Sequence, residues 1–281
     1  MKIAIIGYGF VGKALFNALT NKILVKKIDP KLGTNLNDLV EFIPDIIFIC
    51  LPTPMNSDGS QDISIVESVL NDINEMNLGS LIVLKSTILP DKIVAIQKVI
   101  ERFVYNPEFL REKHANEDFV NSNLIILGGG IDDTKLLANF YKNYTMCICK
   151  DYSFTDAITA AFIKYTINSF LSMKVIFFNE LKDLYDVSGA NEHWTNFIKY
   201  LTLDDRIGSS HMDVPGHDGR KGFGGACLPK DSNAFYKYSL HKKRELSLLK
   251  NVISINNKIR IKYNTNTERE LIQNITFKGE D

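Results

Sequence analysis

The 281-residue chain is 45% hydrophobic and 23% charged, and its 33 Lys plus Arg balance 33 Asp plus Glu. Such a composition describes an ordinary globular protein of one large or two modest domains. Zero net charge argues against nucleic acid or an acidic membrane surface as a partner, and no apolar stretch is long enough to span a bilayer.

Residues 2–6 are apolar and β-branched, end in Gly7-Tyr-Gly-Phe-Val-Gly12, and lead into a helix-like stretch at 13–19. The apolar run breaks at Gly7 with no small-residue cleavage site after it, so no signal peptide is expected. A strand, a GxGxxG run and a helix in that order form the dinucleotide-binding pattern. Gly7 makes the tight turn, Gly9 admits a pyrophosphate, and Gly12 lets helix and strand pack closely. The N–H groups at the helix start, Phe10 and Val11 among them, face the phosphates. A second strand at 24–29 ends in Asp29, placed to accept hydrogen bonds from the adenosine ribose and to repel a 2′-phosphate. NAD is therefore expected rather than NADP.

Further strands are predicted at 45–51, 80–85, 102–105 and 124–127, with helices at 63–76 and 91–101 between them. This alternation predicts an α/β fold with a parallel, doubly wound sheet. Thr53 and Thr87 follow two of the strands, at the carboxyl end of the sheet where ligands bind; taken singly they are ordinary turn residues. Glu108 and Glu112 share a face only if their segment is helical. A helix and strand across 132–149, with Cys147 and Cys149 alternating in the strand, complete a first domain of residues 1–150. Cys50, Cys147, Cys149 and Cys227 show neither CxxC nor zinc spacing. No disulfide framework is expected, which favours a reducing, cytoplasmic setting.

Residues 153–188 read as one helix, roughly 50 Å long, with apolar positions all round. A connector packed against a second subunit satisfies that pattern. Lys164 and Asn168 lie one turn apart on it, and by itself Lys164 reads as a lysine snorkelling to solvent. A short helix at 193–201 and a long loop at 209–221 follow. His211 and His217 in that loop lack metal-site spacing, and no metal is expected. Gly222-Phe-Gly-Gly-Ala-Cys-Leu-Pro-Lys-Asp231 then sets Cys227 just before a helix start, with Pro229 in the first turn and Lys230 close by. Both the helix start and the cation favour a thiolate. Asp231 is placed to hold a water or a substrate hydroxyl. A second, helical domain runs over 151–263, and 264–281 reads as a polar tail.

Together these motifs resemble the UDP-glucose/GDP-mannose dehydrogenase family, and within it the UDP-glucose 6-dehydrogenases. Gly7–Gly12, Cys50-Leu-Pro-Thr-Pro54, Ser86-Thr87, Asn106–Glu112, Lys164 with Asn168, Asn179-Glu180, Arg206-Ile-Gly208 and Gly222–Asp231 occur in the family's order over about 230 residues. The resemblance implies two successive NAD-dependent oxidations of a sugar CH₂OH to a carboxylate. Cys227 would be the nucleophile, passing through a thiohemiacetal and a thioester. Lys164 and Asn168 would stabilise the oxyanions, with Thr87, Glu112 and Asp231 as water-positioning and general-base groups. Lys230, Thr53 and Asp29 match cofactor contacts, alongside Thr87 and Glu112. Glu108, Phe109, Leu110, Arg111, Glu112, Arg206 and Gly224 match substrate contacts, with Lys164 and Asn168. In the family the arginine corresponding to Arg206 reaches the neighbouring subunit's site, which implies a homodimer.

Two features depart from that pattern. Ala161 stands where the family has an acid. The βα units of a second, UDP-binding Rossmann-like domain are missing after residue 263, so either a naturally compact form or a truncated chain is expected, with Arg220 and Lys221 replacing some phosphate contacts. Alternative readings are the same chemistry on GDP-mannose or a UDP-N-acetylhexosamine, a β-hydroxyacid dehydrogenase, and a binding module without catalysis.

Overall fold

The computed structural model describes residues 1–278. Seven strands form one sheet: β1 (Lys2–Ile6), β2 (Leu24–Ile28), β3 (Ile46–Ile49), β4 (Leu81–Leu84), β5 (Phe103–Tyr105), β6 (Ile125–Gly129) and β7 (Tyr152–Thr155). Their order is β2-β1-β3-β4-β5-β6-β7, and every pairing is parallel except β5 with β6. Strands covered on both faces need apolar side chains at every position, which explains the unbroken runs Ile46–Ile49 and Leu81–Leu84. Alternate residues supply two cores. Ala4, Ile6, Ile47 and Ile49 pack with α3 (Ser64–Met76), α4 (Pro90–Gln97) and the start of α7 (Ala157–Val187). Ile3, Ile5, Ile46 and Phe48 pack with α1 (Phe10–Asn17), α5 (Ala115–Val120) and α6 (Ile131–Tyr144), and α2 (Asp38–Phe42) precedes β3. The doubly wound expectation holds, with one antiparallel pairing added.

Cys147 and Cys149 are not strand residues. The segment after α6 is irregular, Ile148 N donates to Val120 O (2.8 Å), and the last strand forms at Tyr152–Thr155 instead. The long helix consequently starts four residues later than its apolar pattern suggests. Asp156 caps it, accepting from Thr159 N (2.9 Å) and from Thr159 Oγ1 (2.6 Å). At 31 residues α7 is about 46 Å long.

The chain divides into two compact units. The first comprises 1–53 and 62–164, and the second 54–61 together with everything from residue 165. This division differs from the expected boundary at 150, because β7 and the first turns of α7 belong to the sheet's own core. In the second unit, α7 continues beside α8 (Trp194–Leu201), α9 (Leu228–His241), α10 (Ser247–Arg260) and α11 (Glu268–Ile272). Its small cores gather Ile176, Phe223 and Val252, and Phe178, Trp194 and Met212. The expected polar tail is structured here: Glu270 and Ile275 are buried, and Gln273 O accepts from Met55 N (3.0 Å). Its last three residues lie outside the described ones. Among the described residues, no helix is long and apolar enough to cross a membrane.

Gly128 of β6 shows how closely α7 is docked. A Cβ there would lie 2.7 Å from Ala157 Cα and 2.7 Å from Ala160 Cβ. Gly128→Ala should therefore destabilise the first unit by about 1–3 kcal/mol. Urea denaturation checks this, and unchanged stability would mean that the helix start is free to shift.

Candidate functional site

The glycine loop lies at the carboxyl end of β1, beside the switch point between β1 and β3 where open α/β sheets bind ligands. Gly7 has φ +87°, and a Cβ there would sit 2.5 Å from Cys50 O, so only glycine suits this turn. Gly12 packs equally closely, its hypothetical Cβ falling 2.2 Å from Gly7 O. Around Gly9 nothing lies within 4 Å of that position, which leaves the open approach a pyrophosphate needs. Asp29 closes the loop from β2: its carboxylate accepts from Tyr8 N (2.7 Å) and Lys31 N (2.9 Å). A cavity of about 250 Å³ opens beside the start of α1, lined among others by Phe10, Lys13, Glu112, Lys113 and His114. Open space over Gly9, a helix start and the Asp29 carboxylate after β2 fit a dinucleotide.

The other strand exits converge within this unit. Thr53 Oγ1 donates to Thr87 O (3.2 Å), and Ser86 Oγ donates to Leu51 O (2.7 Å). Glu108 and Glu112 do not share a helical face: the chain is irregular through 106–111, Glu108 is buried, and Glu112 begins an exposed 3-10 turn. Lys164 does not snorkel. It is 3% exposed, donates to Glu108 O (2.6 Å), and lies 3.7 Å from Glu108 Oε1 and 5.2 Å from the centre of the Phe109 ring. Glu108 Oε2 in turn accepts from Leu110 N (2.7 Å). Arg111 turns instead to Asp118, which holds the guanidinium's pKa above its ordinary value. Ala161 is fully buried in the core, where an acid would need a partner.

Lys85, which sequence reasoning passed over, anchors this loop at Asn106. Its ammonium donates to Asn106 Oδ1 (3.0 Å) and Asn106 O (3.3 Å), and Tyr141 Oη donates to the same Oδ1 (2.6 Å). Burial pushes the Lys85 pKa down and the Cys50 thiol up to about 12.

In the second unit, Cys227 is the N-cap residue of α9, with Pro229 in the first turn, as its sequence suggests. Four residues on, the buried Asp231 carboxylate is shared. Asn168 Nδ2 donates to Oδ2 (2.6 Å) and the Lys230 ammonium donates to Oδ1. Arg206 is exposed and paired with Asp204. Arg220 donates to Thr265 O (2.6 Å) and Lys221 pairs with Asp183, so both cations expected at a phosphate are engaged within this unit. Gly224 has a structural reason to be glycine: a Cβ would fall 2.2 Å from Arg260 Nη2 and 2.4 Å from Glu270 Oε1. Arg260 and Glu270 were not singled out from the sequence, although Thr267-Glu-Arg-Glu270 carries the capping-box pattern that the structure realises. Among the described residues, no group of His, Cys, Asp and Glu side chains could hold a metal ion.

These features define a dinucleotide-binding protein of the doubly wound α/β class with a cysteine-bearing helical unit. Residues 34–145 match the NAD-binding domain of the UDP-glucose/GDP-mannose dehydrogenase family, and residues 158–258 match its central domain. The chain belongs to that family, and NAD is the cofactor of its first unit. A UDP-glucose 6-dehydrogenase of Rickettsia felis is 34% identical over 221 residues, covering 75% of this chain and 47% of the relative. One from Bacillus subtilis is 28% identical, covering 92% and 64%. The chain spans about half the length of the rickettsial relatives. Among solved structures, a UDP-glucose dehydrogenase of Pyrobaculum islandicum superposes with TM-score 0.73 at 25% identity, over 92% of this chain and 68% of that one. A Mycobacterium tuberculosis 3-hydroxyisobutyrate dehydrogenase shares the fold, with TM-score 0.68 at 15% identity, covering 92% and 94%.

The thiols should differ sharply in reactivity. With Cys50 raised to about 12, its thiolate fraction at pH 8 is ~10⁻⁴. Burial also raises Cys147. Iodoacetamide at pH 8 should therefore modify Cys227 at least tenfold faster than Cys50 or Cys147, read by peptide mass spectrometry. Equal rates would contradict the assigned environments.

Proposed function

We propose that this chain catalyses the NAD-dependent four-electron oxidation of UDP-glucose to UDP-glucuronate, with Cys227 as covalent nucleophile. The observation that carries this reading is Cys227 at the start of α9, one turn before a buried Asp231 already holding Asn168 and Lys230. A thiolate adds readily to an aldehyde and also departs readily, so it can hold the acyl level until water arrives. NAD, when bound over Gly7, Gly9 and Gly12 with Asp29 on its ribose, supplies the hydride acceptor.

The remaining roles fall to residues of the chain. Lys164 and Asn168, one turn apart on α7, stabilise negative charge on the alkoxide, the thiohemiacetal oxygen and the hydrolytic tetrahedral intermediate. Asp231 orients the Asn168 amide; sharing its carboxylate with two donors supports this role over that of a general base. Glu112 and Thr87 are left to position and deprotonate the attacking water. Lys230 and Thr53 serve the cofactor, and Glu108, Phe109, Leu110, Arg111 and Gly224 line the sugar-nucleotide. Incubation with UDP-glucose should yield two NADH per sugar and a carboxylate identified by mass spectrometry. Cys227→Ser should lower carboxylate formation by at least a thousandfold. Release of aldehyde with one NADH, or turnover surviving in Cys227→Ser, would refute the reading. A parallel panel with GDP-mannose and UDP-N-acetylhexosamines tests the substrate.

We also propose a homodimer formed through α7. Phe170, Phe177 and Leu184 recur at heptad spacing on this helix and are 58%, 59% and 63% exposed, an apolar stripe unusual on a free surface. Arg206 would then complete the partner's site. Light scattering should show a dimer that Phe177→Glu converts to monomer with loss of turnover. A monomeric wild type would overturn this.

A further inference from the structure

The loop before Cys227 is held by side chains rather than by secondary structure. Lys221 N donates to Tyr263 Oη (2.8 Å), Gly222 N to Asn179 Oδ1 (3.0 Å), Phe223 N to Asn256 Oδ1 (2.7 Å) and Gly225 N to Glu270 Oε1 (3.1 Å). Asn256 returns the contact, Nδ2 donating to Phe223 O (3.0 Å). Backbone donors paired to buried acceptors have few alternatives, since leaving any of them unpaired is costly.

Glu270 is the charged member of this set. Its side chain is fully buried. Oε1 accepts from Arg260 Nη2 (2.6 Å) as well as from Gly225 N, and Oε2 accepts from Thr267 N (2.7 Å). Arg260 reaches back with Nη1 to Asp218 Oδ2 (2.7 Å), in the loop that leads to the cysteine motif. A buried ion pair of this kind is poor evidence of stabilisation, because desolvating the two charges opposes their attraction. What it contributes is direction. The pair occupies the space a Gly224 side chain would fill, and Gly225 is in the left-handed region at φ +78°. Two residues further on, Cys227 caps α9.

We propose that Glu270, held by Arg260, is a positioning residue for the Cys227 thiol. By fixing the Gly225 peptide it keeps the sulfur at the start of α9, where the helix N-terminus favours the reactive thiolate. The C-terminal segment around α11 is thereby part of the reactive apparatus. The inference rests on Cys227 being the nucleophile, but its test does not depend on turnover.

The measurement is the rate of Cys227 alkylation by iodoacetamide at pH 7 in the full chain, read by peptide mass spectrometry well below each variant's Tm. Glu270→Gln keeps the side chain's shape and removes its charge. It should slow alkylation at least threefold and lower kcat while leaving KM for NAD unchanged. Arg260→Lys keeps the cation but cannot bridge Asp218 and Glu270, and it should have the same effect if Glu270→Gln fails to fold. Trp194→Phe, in the separate cluster with Phe178 and Met212, is the control for general loosening and should alkylate at the wild-type rate. A wild-type rate in the folded Glu270→Gln or Arg260→Lys protein would overturn the proposal, as would equal slowing in Trp194→Phe. If Cys227 is not the nucleophile, turnover survives in Cys227→Ser, while the alkylation rates still report on Glu270.

Discussion

The contact between Lys164 and Glu108 governs the arrangement of the first unit's chemistry. A lysine 3% exposed at the start of a long helix needs a partner, and it finds the carbonyl and carboxylate of a loop leaving β5. Removing either partner would leave a charge buried without compensation. The loop is itself pinned by the Lys85–Asn106 contact, and the helix is pinned by Gly128 against Ala157 and Ala160. Lys164 is thus set by sheet packing rather than by its own rotamer preference.

The second unit solves a different problem. Among the described residues, small apolar clusters surround the loop that precedes Cys227, and the loop has no strand or helix to pair its backbone. Side chains from α7, α10 and α11 provide the acceptors instead. Asn179, Asn256 and Glu270 are each buried, so each bond is made where an unmade one would be expensive. This explains why polar residues occupy interior positions of helices whose other faces are ordinary.

Much of the first unit was legible from the residues because its signals are local. Gly7, Gly9, Gly12 and Asp29 are a turn, an open approach, a close packing contact and an acid at a fixed distance along the chain. The buried strands announce themselves as unbroken apolar runs. Cys147 and Cys149 misled because alternation in a short segment does not say whether a neighbouring strand edge is in reach; the β6 edge is instead filled by Tyr152–Thr155. Lys164 misled because burial of a cation depends on a partner 56 residues away in sequence.

The residues alone determined the dinucleotide turn, the preference for NAD, the buried parallel strands up to β6, and the start of α9 after Cys227, since each rests on contacts within a few turns of chain. Tertiary structure decided which polar groups are buried together: Lys164 with Glu108, Asp231 with Asn168 and Lys230, and Glu270 with Arg260 and Gly225. The tail from residue 264 reads as polar by composition, yet its Glu270 is fully buried. The reason is physical. A polar residue in sequence carries no mark of the donor it will meet, and only the fold supplies Arg260 and the Gly225 N–H that make its burial tolerable.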